Sequence, residues 1–334
     1  MKYLPISCFM FLAVILFSCG GNDSPGTSNA KNQKTVPKVN IPDFNADSAY
    51  QYIADQVAFG PRVPNTPAHD ACAKYLMQKL GAYADTVMVQ QFKIRAYNGT
   101  ILNGKNIIGS INPKAKKRIF FSAHWDSRPY ADNDPNPANH RIPIDAANDG
   151  ASGVGVILEI VRQMNIAKPN IGVDFIFFDV EDYGPPQDSP KRGQGNYWAL
   201  GSQYWSNNLH DPDYNPHYGI LLDMVGAKDA TFYMEGFSIE YASQILKKVW
   251  NTGKDLGYDN YFLFENGGYI DDDHKYVNEI AGIPTIDIIH LVNDTPGNSF
   301  FKYWHTLGDN MSTIDKTTLK VVGQTLLTVS YQEK

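Results

Sequence analysis

The sequence predicts a single α/β domain, built on a mixed, mostly parallel central sheet with helices on both faces. Three observations lead there. Apolar runs of strand length alternate with stretches of helical periodicity, without an internal repeat. The most pronounced run, Val173-Asp174-Phe175-Ile176-Phe177-Phe178, is largely apolar on both alternating faces, the pattern of a strand covered on both sides. That run climbs into Asp179-Val180-Glu181-Asp182, so two adjacent acids stand at the carboxyl end of a strand, where ligands bind in such sheets. Neighbours in extended chain point to opposite faces, so Glu181 and Asp182 share one site only if the chain turns. The Gly184-Pro185-Pro186 that follows is the expected turn. The plain alternative is a solvated loop with two acids.

The elements follow in order. Lys2 and an apolar run from Tyr3 to Phe17 predict a secretory signal peptide over residues 1–18. Its Leu16-Phe17-Ser18-Cys19 ending is similar to a bacterial lipobox, so Cys19 is expected to be lipidated, on an exported, periplasmic, membrane-anchored protein. An ordinary cleaved signal is the alternative. Residues 19–42 are rich in Asn, Ser, Lys, Thr and Pro, and predict a disordered tether that cannot bury enough apolar surface to offset its ordering entropy. The body is expected over residues 43–334. Asn45 or Asp47 caps a first helix reaching about Phe59, and a second runs from Pro67 to Leu80. Strands are predicted at Thr86–Ile94, Lys105–Ile111, Arg118–His124, the central run to Asp179, Gly219–Val225 and Thr285–Ile289. Helices are predicted at Gly150–Met164, Ile239–Thr252, His274–Ala281 and Thr313–Tyr331.

Composition narrows the function. In 334 residues, 43% are hydrophobic and 13% aromatic, enough for a sizeable core, and a net charge of −6 without a basic stripe argues against nucleic acid as partner. Of three cysteines only Cys72 lies in the body, in a helical stretch, so no intrachain disulfide is expected and Cys72 reads as a buried thiol.

Several strands end in polar signatures. They are His124-Trp125-Asp126, Asn148-Asp149-Gly150-Ala151-Ser152-Gly153, Glu181-Asp182, Leu222-Asp223-Met224, and a late Trp304-His305-Thr306. Singly each has a plain reading: a surface His–Asp pair, a helix N-cap at Asp149, a core histidine at His305. Asp223 within Leu-Leu-Asp-Met-Val is harder to dismiss, because an unpaired charge there would cost several kcal/mol. Together, carboxylates and imidazoles at successive strand ends match the oxygen and nitrogen ligands that zinc accepts.

The order of these motifs resembles the zinc-dependent aminopeptidase-like exopeptidase family. Within it, the animal-type and bacterial glutaminyl cyclases are the closer likeness, through Pro186-Gln187-Asp188-Ser189, Leu221–Ala227, Ile270-Asp271-Asp272-Asp273-His274 and Trp304-His305-Thr306 with Asp309-Asn310. The likeness runs from about Asp43 to the C-terminus. It implies one zinc per chain, held by Asp149, Asp182 and His305, with Glu181 as proton shuttle and Asp223 and Asp272 as further catalytic acids beside the substrate. Trp304 would wall the pocket, and His124 and Asp126 would serve a second metal or support the first ligands. The implied reaction closes the N-terminal glutamine of peptides and exported proteins to pyroglutamate with loss of ammonia. A di-zinc aminopeptidase of the same fold is the alternative. Three departures stand out: Asp182 where many relatives have Glu, Asp287 where some animal relatives have His, and a longer loop at Asn293–Phe300. The Asp271–Asp273 run also reads simply as a helix N-terminus, where acids are favoured by the dipole.

Overall fold

A computed structural model describes residues 40–292 and 299–333. The predicted signal peptide, Cys19 and nearly all of the tether lie outside the described residues, as does most of the 293–300 loop.

Six strands form the central sheet: β1 (Thr86–Arg95), β2 (Ile101–Ile111), β3 (Arg118–His124), β4 (Gly172–Phe178), β5 (Gly219–Asp223) and β8 (Thr285–Ile289), in the order β1-β2-β4-β3-β5-β8. β4, β3, β5 and β8 run parallel, while β2 pairs antiparallel with both β4 and β1. Two further strands, β6 (Phe232–Met234) and β7 (Phe262–Asn266), make a separate parallel pair that the sequence pattern did not disclose. Parallel pairing brings the carboxyl ends of β3, β4, β5 and β8 to one edge, where the first three deliver His124-Trp125-Asp126, Glu181-Asp182 and Asp223 together.

The central run is covered on both sides, as its composition requires. Every residue of β4 is buried. Val173, Phe175 and Phe177 join the main core with α1 (Ala46–Val57), α2 (Pro67–Tyr83), α3 (Ala151–Ile166), α5 (Gly236–Asp255) and α7 (Lys316–Gln332). Ile176 and Phe178 face the other way, against Trp205 of α4 (Leu200–Asn207) and Val277 beyond α6 (Asp273–Tyr276). The period of two in the sequence has become two cores. Cys72 is fully buried in the main one, and burial pushes its thiol up to about 12.

Asp174, the one charge inside β4, is buried on the α4 side. Its carboxylate accepts bonds from Arg118 Nε and Nη2 at 2.7 Å each and from Ser110 and Tyr214. Removing the cation would strand a buried carboxylate, so Arg118→Ala is expected to cost about 3–5 kcal/mol of unfolding free energy in a denaturant titration. A loss below about 1 kcal/mol would mean that Asp174 is satisfied without it.

The helices differ in detail from the sequence reading. Asn45, not Asp47, caps α1, with its side chain accepting from the Ser48 amide. α5 starts earlier than expected because Glu235 caps it, accepting from the Phe237 and Ser238 amides. The helix expected at His274–Ala281 is instead α6, opening one residue earlier with Asp272 as its cap, followed by a π-helical turn at Val277–Ala281. α7 begins at Lys316 behind the cap Asp315. α4 was not foreseen, its short Leu-Gly-Ser-Gln-Tyr-Trp-Ser-Asn run carrying too little periodicity. Strand β2 extends back to Ile101, and β5 stops at Asp223 because Met224 adopts a left-handed φ of 49°.

Candidate metal centre

The turn that aims Glu181 and Asp182 at one place lies before them, not at Gly184-Pro185-Pro186. Val180 has φ 59°, a conformation costly for a β-branched residue. It is held by neighbours. The Asp179 carboxylate accepts from the Val180 amide (2.8 Å), the Lys105 amide (2.7 Å) and His69 Nε2 (2.9 Å). Asp126 then accepts from the next two amides, Glu181 at 3.0 Å and Asp182 at 3.2 Å. Asp126 therefore supports the acid pair through its backbone.

Asp149 opens α3. Asp309 accepts from the amides of Asn148 (2.8 Å) and Asp149 (3.1 Å), fixing the turn from 160 residues away in sequence. The glycines of the Asn-Asp-Gly-Ala-Ser-Gly motif are there for close approach. A Cβ on Gly150 would stand 2.4 Å from His124 Nε2, and one on Gly153 would stand 2.3 Å from the Leu222 carbonyl oxygen.

His305 reaches the same place from a left-handed backbone, φ 54°. Its Nε2 lies 3.2 Å from Asp182 Oδ1 and 3.7 Å from Asp149 Oδ2. One donor atom from each of Asp149, Asp182 and His305 falls within 4.8 Å of the others, and all three residues are buried. Asp149 Oδ2 and Asp182 Oδ2 are buried without a hydrogen-bond partner. Two carboxylates and an imidazole converging with orphaned oxygens suit a divalent cation, whose charge would offset a desolvation that is otherwise expensive.

A second group shares Asp149. His124 Nε2 lies 3.1 Å from Asp149 Oδ1 and 3.3 Å from Asp223 Oδ1, with Nδ1 3.6 Å from Asp126. Burial works against a charged His124, but Asp126, Asp149 and Asp223 outweigh it and raise its pKa well above the ordinary value. His124, Asp149 and Asp223 thus form a second buried cluster, joined to the first through Asp149. A third group, Asp272, His274 and Asp287, is buried as well, with Asp272 on the cavity wall and His274 Nε2 2.9 Å from Glu235. Burial, with repulsion from Asp272 next, raises Asp273 and Asp287 well above the usual carboxylate range.

Glu181 ligates nothing in the first triangle but sits beside it. Burial lifts its pKa well above the ordinary value, against the pull of His124 and with repulsion from Asp182, Asp272 and Asp273 adding to it. Burial likewise pushes Asp223 up to about 7. Glu181, Asp223 and Asp272 line one cavity of about 340 Å³ with Asp149, Asp182 and His305; Trp198, Ile270, Phe300 and Trp304 supply apolar wall. A hollow of about 580 Å³ beside Arg118 and His210 is larger, but holds none of the three candidate ligand groups.

Sequence reasoning missed what stands behind His305. Asp132 lies 3.5 Å from its Nδ1, and the buried Arg128 clamps Asp132 at 2.7 and 2.8 Å while reaching the Asp182 carbonyl at 3.1 Å. The Arg128 guanidinium also lies 4.7 Å from the centre of the Trp198 ring. Burial opposes a charged Asp132, yet Arg128 and His305 hold it far below the usual carboxylate range. Arg128 and Asp132 stand four residues apart in a stretch without helix, so their spacing gave no signal in the sequence. Such a carboxylate orients a ligating histidine, so Asp132→Asn is expected to weaken zinc affinity roughly 10–100-fold. Competition against a chelator would measure it, and an unchanged affinity would show that the Trp304 stack, 3.8 Å away, orients the ring alone.

Residues 106–330 match the model of peptidase family M28. A glutaminyl-peptide cyclotransferase from Bos taurus is 27% identical over 295 residues, covering 77% of this chain and 74% of its own. The structure of a Bacteroides thetaiotaomicron glutaminyl cyclase bound to N-acetylhistamine is 52% identical, with a TM-score of 0.85 over 88% of this chain and 100% of its own. A leucine aminopeptidase precursor from the same organism matches equally well, at 52% identity and a TM-score of 0.84 over 89% of this chain and 100% of its own.

Proposed function

Because the chain belongs to peptidase family M28 and aligns along its folded body with glutaminyl cyclases, we infer that it is a zinc-dependent glutaminyl-peptide cyclotransferase. The substrate is a peptide or protein with an N-terminal glutamine, and the products are the pyroglutamyl peptide and ammonia. The observation that carries the reading is the buried Asp149–Asp182–His305 triangle, opening onto a cavity that also holds an acid of raised pKa, Glu181.

One zinc per chain would be held by Asp149, Asp182 and His305, leaving a fourth position open. When bound, zinc supplies a Lewis acid for the γ-carbonyl oxygen of the glutamine. The residues of the chain do the rest. Nucleophile and electrophile already sit in one residue, so no water needs activating. Glu181 accepts a proton from the α-amine as that nitrogen attacks the amide carbon, and returns it to the departing nitrogen, which leaves as ammonia. Asp223 and Asp272 hydrogen-bond beside the substrate, and Trp304 forms a wall that keeps water from the reacting carbon. His124 and Asp126 support the site, the first between Asp149 and Asp223 and the second under the Glu181 and Asp182 amides. For residues 1–42 the proposal is export, lipidation of Cys19 and a tether that holds the body off a periplasmic membrane surface.

The His124–Asp149–Asp223 group favours a second reading, a di-zinc aminopeptidase. Zinc counted per purified chain, together with ammonia from Gln-peptides against free amino acid from the same peptides, separates the two. A single zinc with ammonia supports the cyclase; two zincs with free amino acid replace it.

A further inference from the structure

Among the described residues, Arg192 is the only lysine or arginine lining the cavity, whose acidic lining is Asp149, Glu181, Asp182, Asp223, Asp271 and Asp272, with His305 at its base. The acids of the floor are largely buried, whereas Arg192, Tyr269 and Asp271 at the mouth are exposed. A glutamine seated with its side chain among the floor residues must send the rest of its peptide out past this rim. Of the rim charges, Asp271 is already matched by Lys275 at 3.3 Å and by the Tyr276 hydroxyl at 2.7 Å. Among the described residues, the Arg192 guanidinium has no hydrogen-bond or ion-pair partner. Its loop is also tied to the site: the Gln187 amide donates to Asp132 Oδ2 (2.9 Å), the Ser189 amide to the Pro186 carbonyl, and the Arg192 amide to the Ser189 carbonyl at 3.1 Å. The cation is thus presented by a loop anchored to the carboxylate behind His305.

We propose that Arg192 is a specificity residue that selects N-terminal-glutamine peptides carrying an acidic residue at the second position. This rests on the cyclase reading and names a substrate class within it. A guanidinium fork matches a carboxylate geometrically, and a lysine at the same position meets repulsion instead. The contact lies at the mouth, away from the reacting carbon, so it acts on KM and leaves kcat nearly constant.

Three C-terminally amidated peptides that differ only in the second residue, Gln-Glu, Gln-Ala and Gln-Lys, test it by ammonia release from the zinc-loaded enzyme. Wild type is expected to rank them Glu, Ala, Lys in kcat/KM, with a preference that shrinks at 0.5 M salt through screening, as expected for an exposed charge pair. Arg192→Gln should cut the Gln-Glu value roughly two- to fivefold, the range of an exposed ion pair, and leave Gln-Ala unchanged. Arg192→Glu should reverse the ranking of Glu and Lys. Equal losses on all three peptides, or an unchanged ranking in both variants while ammonia is still released, overturns the proposal. Absence of ammonia from every peptide in wild type removes the cyclase reading itself, and the selectivity with it.

Discussion

Glu181→Gln is expected to keep its zinc and its melting temperature while ammonia release from Gln-peptides falls roughly 10²–10⁴-fold, the usual contribution of a general acid–base group. The substitution conserves shape and removes only the ability to carry a proton. Glu181 is suited to that task by its surroundings. Burial and the nearby Asp182, Asp272 and Asp273 raise its proton affinity, so it can take a proton from the α-amine and hold it until the nitrogen departs. Its backbone is also fixed, because Asp126 accepts from its amide and Val180 before it is locked in a left-handed turn. Ammonia release within about twofold of wild type, in a variant of equal zinc content, would remove Glu181 from this role and point to Asp223 or Asp272 as the carrier.

His305→Ala is expected to act through the metal. It deletes the nitrogen donor of the triangle and leaves Asp149 and Asp182 facing each other, which two carboxylates tolerate poorly without a cation. Zinc after dialysis should fall from about one per chain toward none, and ammonia release should fall with it. Elemental analysis decides the first half directly. Full zinc retention in the alanine variant would show that the ion sits elsewhere, with the His124–Asp149–Asp223 group as the first place to look. The two variants therefore separate chemistry from binding: one loses turnover with the metal in place, the other loses the metal.

Much of the site could be read from sequence because its residues break a local rule. An acid at the end of an apolar strand is costly, so Glu181, Asp182 and Asp223 announce themselves, and the Asn-Asp-Gly-Ala-Ser-Gly turn does the same for Asp149. The Asp271–Asp273 run was ambiguous in sequence and proved to be three different things. Asp271 pairs at the surface, Asp272 caps α6 and lines the cavity, and Asp273 is buried in the first turn of that helix. Arg128, Asp132, Asp309 and the His69–Asp179 pair carried no comparable flag. Each looks ordinary beside its neighbours, and its work consists of contacts made far along the chain, 161 residues from Asp309 to Asn148 and 110 from His69 to Asp179. The expected turn at Gly184-Pro185-Pro186 misled for a related reason. Glycine and proline mark easy turns, whereas the one that matters is a strained turn at Val180 that only surrounding bonds can hold.

The α/β class, the two-faced burial of β4 and the polar residues at the strand ends are legible in the chain because periodicity and the cost of a buried charge are properties of short segments. That those ends meet is a property of the assembled fold. Pairing β4, β3, β5 and β8 in parallel sets their carboxyl ends along one edge, while the Val180 turn, the Asp309 clamp and the Arg128–Asp132 pair fix the angles. Such convergence depends on contacts between segments distant in sequence, 160 residues in the case of Asp309 and Asp149, which no local pattern encodes.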